Sequence, residues 1–326
     1  MKRLITPIGL LVLCSGAWAQ PTNEGALFLQ KALSGPVKPY TASARITLYR
    51  DNGPPTTADV RIYADGKGDV LRQYSGPAQQ RIRLLKKGTA WWQQQPNGEW
   101  IRLPDAADAD PALAARLILG AYRVHVQPAP PVAGLDTVRI ELEPLHAWDP
   151  SRRLWMNPST GIILRDEFLA PGGKLRSSTE VLHVELKPQE PALFRAPVRA
   201  LPNSLFGPAS FSPRPSQADV EKETQRPILL PAYVPPGYRI VLFGVMRTGS
   251  GRLMPVVRYS NGISAFSVFQ RGRGPRMHPG APQKPRCVGS TSLQQAVVTV
   301  TGRRANYILL GDLAEAILQR VGRSLP

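Results

Sequence analysis

The sequence predicts an α+β protein: a curved, largely antiparallel sheet with helices on its concave face, followed by a smaller antiparallel β domain closed by a C-terminal helix. Three observations carry this. Segments of apolar/polar alternation recur between turn signals at short spacing through residues 40–103 and 122–186. A proline-rich break follows at 195–226. Beyond it, residues 256–271 (VVRYSNGISAFSVFQR) set two alternating runs either side of Asn261-Gly262, a pair suited to a two-residue primed turn, and so read as a β-hairpin.

The elements follow in order. Lys2 and Arg3 precede a short apolar run, and Ala17-Trp18-Ala19 ends it, so residues 1–19 read as a secretory signal peptide. Leu13 before Cys14 argues against lipidation, which requires a small residue there. Asn23 caps a short amphipathic helix carrying Leu27, Leu29 and Leu33. Strands are expected at 40–50, 60–64, 70–74, 81–85, 90–94 and 100–103. Asp110-Pro111 opens a second helix, with proline at its first position and Leu113, Leu117, Ile118 and Ala121 on one face. Strands resume at 122–126, 137–143, 153–157, 162–169 and 175–186, which completes a first domain over 20–194. Residues 195–226 read as a linker and 227–326 as the second domain. There, strands at 238–247, 296–301 and 304–310 join the hairpin, and Asp312 caps a closing helix.

Composition narrows the function. The chain has 326 residues with 41 basic and 23 acidic side chains, a formal net charge of +18. In an exported protein that excess points to anionic lipid or an acidic partner segment, not to nucleic acid. Cleavage leaves Cys287 as the single cysteine, so buried apolar area must hold the fold. The four histidines (125, 146, 183, 278) lack metal-ligand spacing, and no nucleophile elbow, zinc-protease or phosphate-loop motif occurs. No cofactor is expected, and the chain is expected to bind, not to catalyse.

Two stretches resemble a known family. The hairpin, downstream of LPAYVPPGYRI (230–240), resembles the C-terminal domain of RseB/MucB proteins. LWMNPSTGIILRDEFLAPGGKLRSSTEVLHVEL (154–186) and TAWWQQQPNGEWIRL (89–103) are similar to LolA-like folds, including the RseB N-terminal domain. The resemblance implies a LolA-like half-open barrel, periplasmic or otherwise extracytoplasmic placement, and regulation of an extracytoplasmic-function sigma factor. The implied partner is the extracytoplasmic segment of a transmembrane anti-sigma factor. It further implies an apolar cavity for a lipid or lipopolysaccharide-like amphiphile, for which Trp91, Trp100, Leu113, Leu117, Ile118 and Trp155 are the candidate lining. The alternative is a LolA-like lipid or lipoprotein carrier without a signalling partner. Arg258, Arg271, Arg273, Arg276, Lys284 and Arg286 are candidates for binding phosphate or an acidic partner segment. The long basic loop 272–285 departs from the family pattern.

Overall fold

The computed structural model describes residues 23–51, 53–75, 82–95, 97–103, 110–198, 201–202, 210–272, 296–302 and 304–326. Residues 1–19, read from the sequence as a signal peptide, lie outside them. Helix α1 (Asn23–Ser34) leads into strands β1 (Tyr40–Leu48), β2 (Thr56–Ala64) and β3 (Val70–Ser75). The meander continues through β4 (Arg83–Lys87), β5 (Ala90–Gln94) and β6 (Trp100–Arg102). Helix α2 (Pro111–Ala121) then runs without a loop into β7 (Tyr122–Val132). The strands β8 (Leu135–Pro144), β9 (Ser151–Met156), β10 (Ile163–Leu169) and β11 (Leu175–Glu185) complete the large sheet, joined by a short β12 (Leu201–Pro202).

The large sheet has twelve strands in the order β12-β6-β5-β4-β3-β2-β1-β11-β10-β9-β8-β7. Its two end strands do not pair, so the sheet stays open. Pairing is antiparallel except for β12 against β6. The central joint is β1 on β11, which brings the two halves of the meander together from opposite ends of the unit. Border strand β7 carries Pro128, Pro130 and Pro131.

Period-two alternation sorts side chains onto two faces. On the inner face of β7–β9, Ile140, Leu142, Leu154 and Met156 are buried under Leu29 and Ala32 of α1 and Ile118 and Ala121 of α2. The same face continues as Tyr40, Ala42, Ala44, Val60, Ile62 and Leu164 on the central strands. Val132, Ala133 and Leu135, at the far tip of the β7–β8 hairpin, pack onto these central strands. That contact makes the inner face concave. Helix α2 starts as its sequence suggests: the Asp110 side chain accepts from Ala112 N–H at 2.9 Å, with Pro111 at the first position.

The Asn-Pro-Ser-Thr-Gly turn between β9 and β10 is held by one side chain. Asn157 Oδ1 accepts from Thr160 N–H (3.0 Å), Thr160 Oγ1 (2.8 Å) and Ser159 Oγ (2.7 Å), while its Nδ2 donates to Asp136 C=O (2.8 Å). Since Asn157 is only 6% exposed, Asn157→Ala leaves buried donors unmet. It is expected to cost about 1–3 kcal/mol in urea unfolding.

The smaller unit is a six-stranded antiparallel sheet, β13-β14-β15-β16-β18-β17. Its strands are β13 (Ser210–Arg214), β14 (Arg239–Arg247), β15 (Leu253–Ser260), β16 (Ala265–Arg271), β17 (Ala296–Thr301) and β18 (Asn306–Gly311). Helices α3 (Gln217–Thr224) and α4 (Glu315–Arg323) share one core with this sheet. Val220 of α3 and Leu318 and Val321 of α4 are fully buried there, beside Tyr259, Phe266, Tyr307 and Leu309.

Three local expectations need correction. Residues 210–224, read as part of a linker, form β13 and α3 of the small unit: Ser216 caps α3, and Val220 supplies a core residue that the prolines around it obscure. Asp312 does not cap the closing helix. Its N–H still donates to Ala265 C=O at 3.0 Å as a continuation of the sheet, so the helix begins later, after Ala314. The hairpin turn is also longer than two residues. Ser260 pairs with Ala265, and Asn261 N–H donates to Ser264 C=O at 3.1 Å, leaving residues 261–264 as the loop. Only Gly262 takes a positive φ (+91°). Asn261 instead uses Oδ1 to accept from Ile263 N–H (3.0 Å) and Ser264 N–H (2.8 Å), a side-chain turn that competes with the primed one.

Candidate functional site

Strand register decides which aromatic residues reach the concave face. Trp91 lies opposite Lys86, which lies opposite Val70, which lies opposite Ala64, so these four share that face. Trp92 points the other way and packs with Trp100, Leu71, Leu85 and Phe194. Trp100 is therefore on the convex face, a correction to the predicted lining. Trp155 is as well: its neighbours Leu154 and Met156 take the inner positions, and Arg165 lies over the Trp155 ring at 4.8 Å. Around it run ion pairs of Glu141, Arg153, Arg165 and Glu167. Leu113 on α2 is half-buried and Leu117 is buried. Ile118, 1% exposed, is part of the packed core under α2 and lines no groove.

The structure adds two residues that sequence reading missed. Arg72 sits between Ile62 and Leu84 in register, and Lys86 between Val70 and Trp91, so both cations rise from the apolar concave face. Burial pushes the Lys86 ammonium below its usual pKa, and the Arg72 charge adds to the effect. Asp69 opposes it, but its carboxylate is engaged by Lys87 (3.4 Å) and Gly88 N–H (3.0 Å). Two like charges next to Trp91, Val70 and Leu84 form a surface suited to an anionic group with an apolar tail. The only available signal was the register itself, because both residues look like ordinary strand-surface cations.

Of the predicted anion-binding residues, Arg258 is half-buried on β15, opposite Leu242 and Ser267, and Arg271 is exposed at the end of β16. Arg273, Arg276, Lys284 and Arg286 lie outside the described residues. Among the described residues no group of three or more His, Cys, Asp or Glu side chains is placed to hold a metal ion. No helix among them is long and apolar enough to cross a membrane.

The two sheets meet at the hairpin turn. Gly262 lies against α2, so that a Cβ placed there would stand 2.6 Å from Ile118 Cγ1 and 3.0 Å from Ala114 C=O. Ile263 packs onto the core that contains Ile118 and Tyr122. Beside it, Asn261 Nδ2 reaches Asp149 Oδ1 (3.2 Å) and the Tyr122 hydroxyl (3.3 Å), and the Tyr238 hydroxyl donates to Asp149 Oδ1 at 2.9 Å. Burial, reinforced by the Asp149 charge, raises the pKa of both tyrosines, so their hydroxyls stay protonated donors.

No protein-family model matches the sequence, and no curated protein matches it. Solved structures do. The complex of MucA and MucB from Pseudomonas aeruginosa matches at TM-score 0.60 and 13% identity, over 93% of this chain and 98% of that one. The chain has the MucB fold. MucB in complex with MucA(peri) matches at TM-score 0.60 and 14% identity with the same coverage of both chains. MucB alone matches at 0.52, again at 14% identity and the same coverage. The MucB fold thus spans both sheets of this chain.

Proposed function

We propose that this protein is an exported regulator that binds the extracytoplasmic segment of a transmembrane anti-sigma factor and so controls an extracytoplasmic-function sigma factor. The observation that carries this reading is the likeness of fold, over 93% of this chain, to MucB solved in complex with MucA. The strongly basic composition suits an acidic, extended partner that folds on contact. The test is a pull-down of the mature chain with the exported segment of a single-span protein encoded beside a sigma factor. Capture supports regulation; failure with every such segment of the source genome removes it.

The concave face supports a second element of the reading. An amphiphile would lay its chain on Val70, Leu84 and Trp91, gaining about 0.8 kcal/mol per buried methylene, and set an anionic head on Arg72 and Lys86. A ligand preferring the partner-free form would release the partner by no more than its differential affinity. Without a partner, the same face would serve a lipid carrier. The double variant Arg72→Glu/Lys86→Glu is expected to weaken binding of a phosphate-headed amphiphile by about tenfold or more. Titration with a fluorescent phospholipid analogue reads this directly, and unchanged affinity would move the ligand site elsewhere.

A further inference from the structure

The junction between the sheets is polar and only partly matched. Asp149 is 1% exposed. Its Oδ1 accepts from the Tyr238 hydroxyl and from Asn261 Nδ2, whereas its Oδ2 has no hydrogen-bond partner. Trp148 Nε1, on the residue before Asp149, is buried and unpartnered as well. A carboxylate held there carries a full charge away from water with one oxygen unmet, which is costly. The acid form removes the charge and keeps Oδ1 as an acceptor for the same two donors. All three hydrogen bonds among these four groups cross between the units: Tyr238 and Asn261 come from the small unit, Asp149 and Tyr122 from the large one. If the units part, Asp149 loses its Tyr238 and Asn261 partners and gains water.

We propose that Asp149 and the hairpin turn 261–264 form an acid-tightened latch between the two sheets, in which proton uptake by Asp149 favours the docked arrangement and proton loss loosens it. This goes beyond the binding reading and holds whatever the concave face takes.

The sign follows from linkage. Burial, the largest influence, raises the Asp149 pKa in the docked form; the Tyr238 hydrogen bond and the His146 ring oppose it. A carboxyl whose docked pKa lies above its free value favours docking most at low pH. That advantage is fully present below the free carboxyl's value and is lost as pH rises through the docked one. The titratable groups facing Asp149 are Tyr122 at the α2–β7 join, Tyr238 before β14 and His146 in its own loop. The hairpin turn presents Asn261 and Ser264, which do not titrate.

Small-angle scattering of the mature chain between about pH 4.5 and pH 8 tests the latch, with far-UV circular dichroism confirming that each variant is folded. The wild type is expected to contract on acidification. Asp149→Asn should stay compact across the range, since the amide is neutral at every pH. Asn261→Asp keeps Oδ1 for the Ile263 and Ser264 N–H groups, so the turn survives, but it sets a second carboxylate against Asp149. It should be expanded at pH 8 and contract on acidification as the pair takes up a proton. The proposal fails if Asp149→Asn keeps the wild-type pH response, if wild-type dimensions do not change with pH, or if Asn261→Asp matches wild type throughout.

Discussion

Gly262→Val is expected to cost about 3 kcal/mol or more and to separate the unfolding of the two units. Two independent penalties meet at this residue. Its φ of +91° is a conformation that a β-branched residue adopts only under strain, about 1–2 kcal/mol for the left-handed region alone. The new Cβ would also fall within 2.6 Å of Ile118 Cγ1 and 3.0 Å of the Ala114 carbonyl. Overpacking of this kind typically costs a further 1–3 kcal/mol. Ile118 is fixed between α1 and the sheet, so it cannot swing aside. The cheaper response is for the turn to lift off α2, and urea unfolding followed by both near-UV and far-UV circular dichroism should then show two transitions. A single transition at the wild-type midpoint would mean that the turn is not seated as described.

Phe266→Ala is expected to destabilise the small unit by about 3–5 kcal/mol. The ring is 1% exposed, stacks on Tyr259 at 4.7 Å with a 5° interplanar angle, and meets Tyr238 at 5.6 Å. Removing it opens a cavity among Tyr238, Tyr259 and Val268 that the sheet backbone cannot close. There is a second consequence, because Tyr238 carries the hydroxyl that donates to Asp149. The variant should loosen the contact between the sheets even where the small unit remains folded. Phe266→Leu, which keeps most of the volume, should recover more than half of the loss in a calorimetric scan.

Most of the strand pattern was legible because β-strands announce themselves locally. The runs 40–48 and 122–126 alternate cleanly, and the turn at 157–161 combines asparagine, proline and glycine in a workable order. Trp91 and Trp92 were separable for the same reason: adjacent strand residues face opposite ways, and Trp92 meets Phe194 while Trp91 does not. What escaped was anything fixed by register or by distant partners. Trp100 and Trp155 look like cavity residues until their pairing with Gln94 and their place between Leu154 and Met156 put them outside. The Asn261-Gly262 pair promises a two-residue turn, but an asparagine amide with acceptors in another unit bends the loop to its own needs. Phe211 and Val220 lie among five prolines that hide a strand and a helix, because burial in a partner core is invisible to composition.

The prolines of the outermost large-sheet strand bear on how other chains approach this molecule. Pro128 keeps its place opposite Val138 in the ladder to β8, while Pro130 and Pro131 sit in the irregularity between Ala129 and Val132. The missing N–H of Pro128 therefore faces outward, where an incoming extended segment would look for donors. Lengthening of the sheet by a foreign strand is blocked along that rim. A foreign chain that meets this rim would have to engage side chains there, where shape and charge decide the fit instead of generic backbone hydrogen bonding.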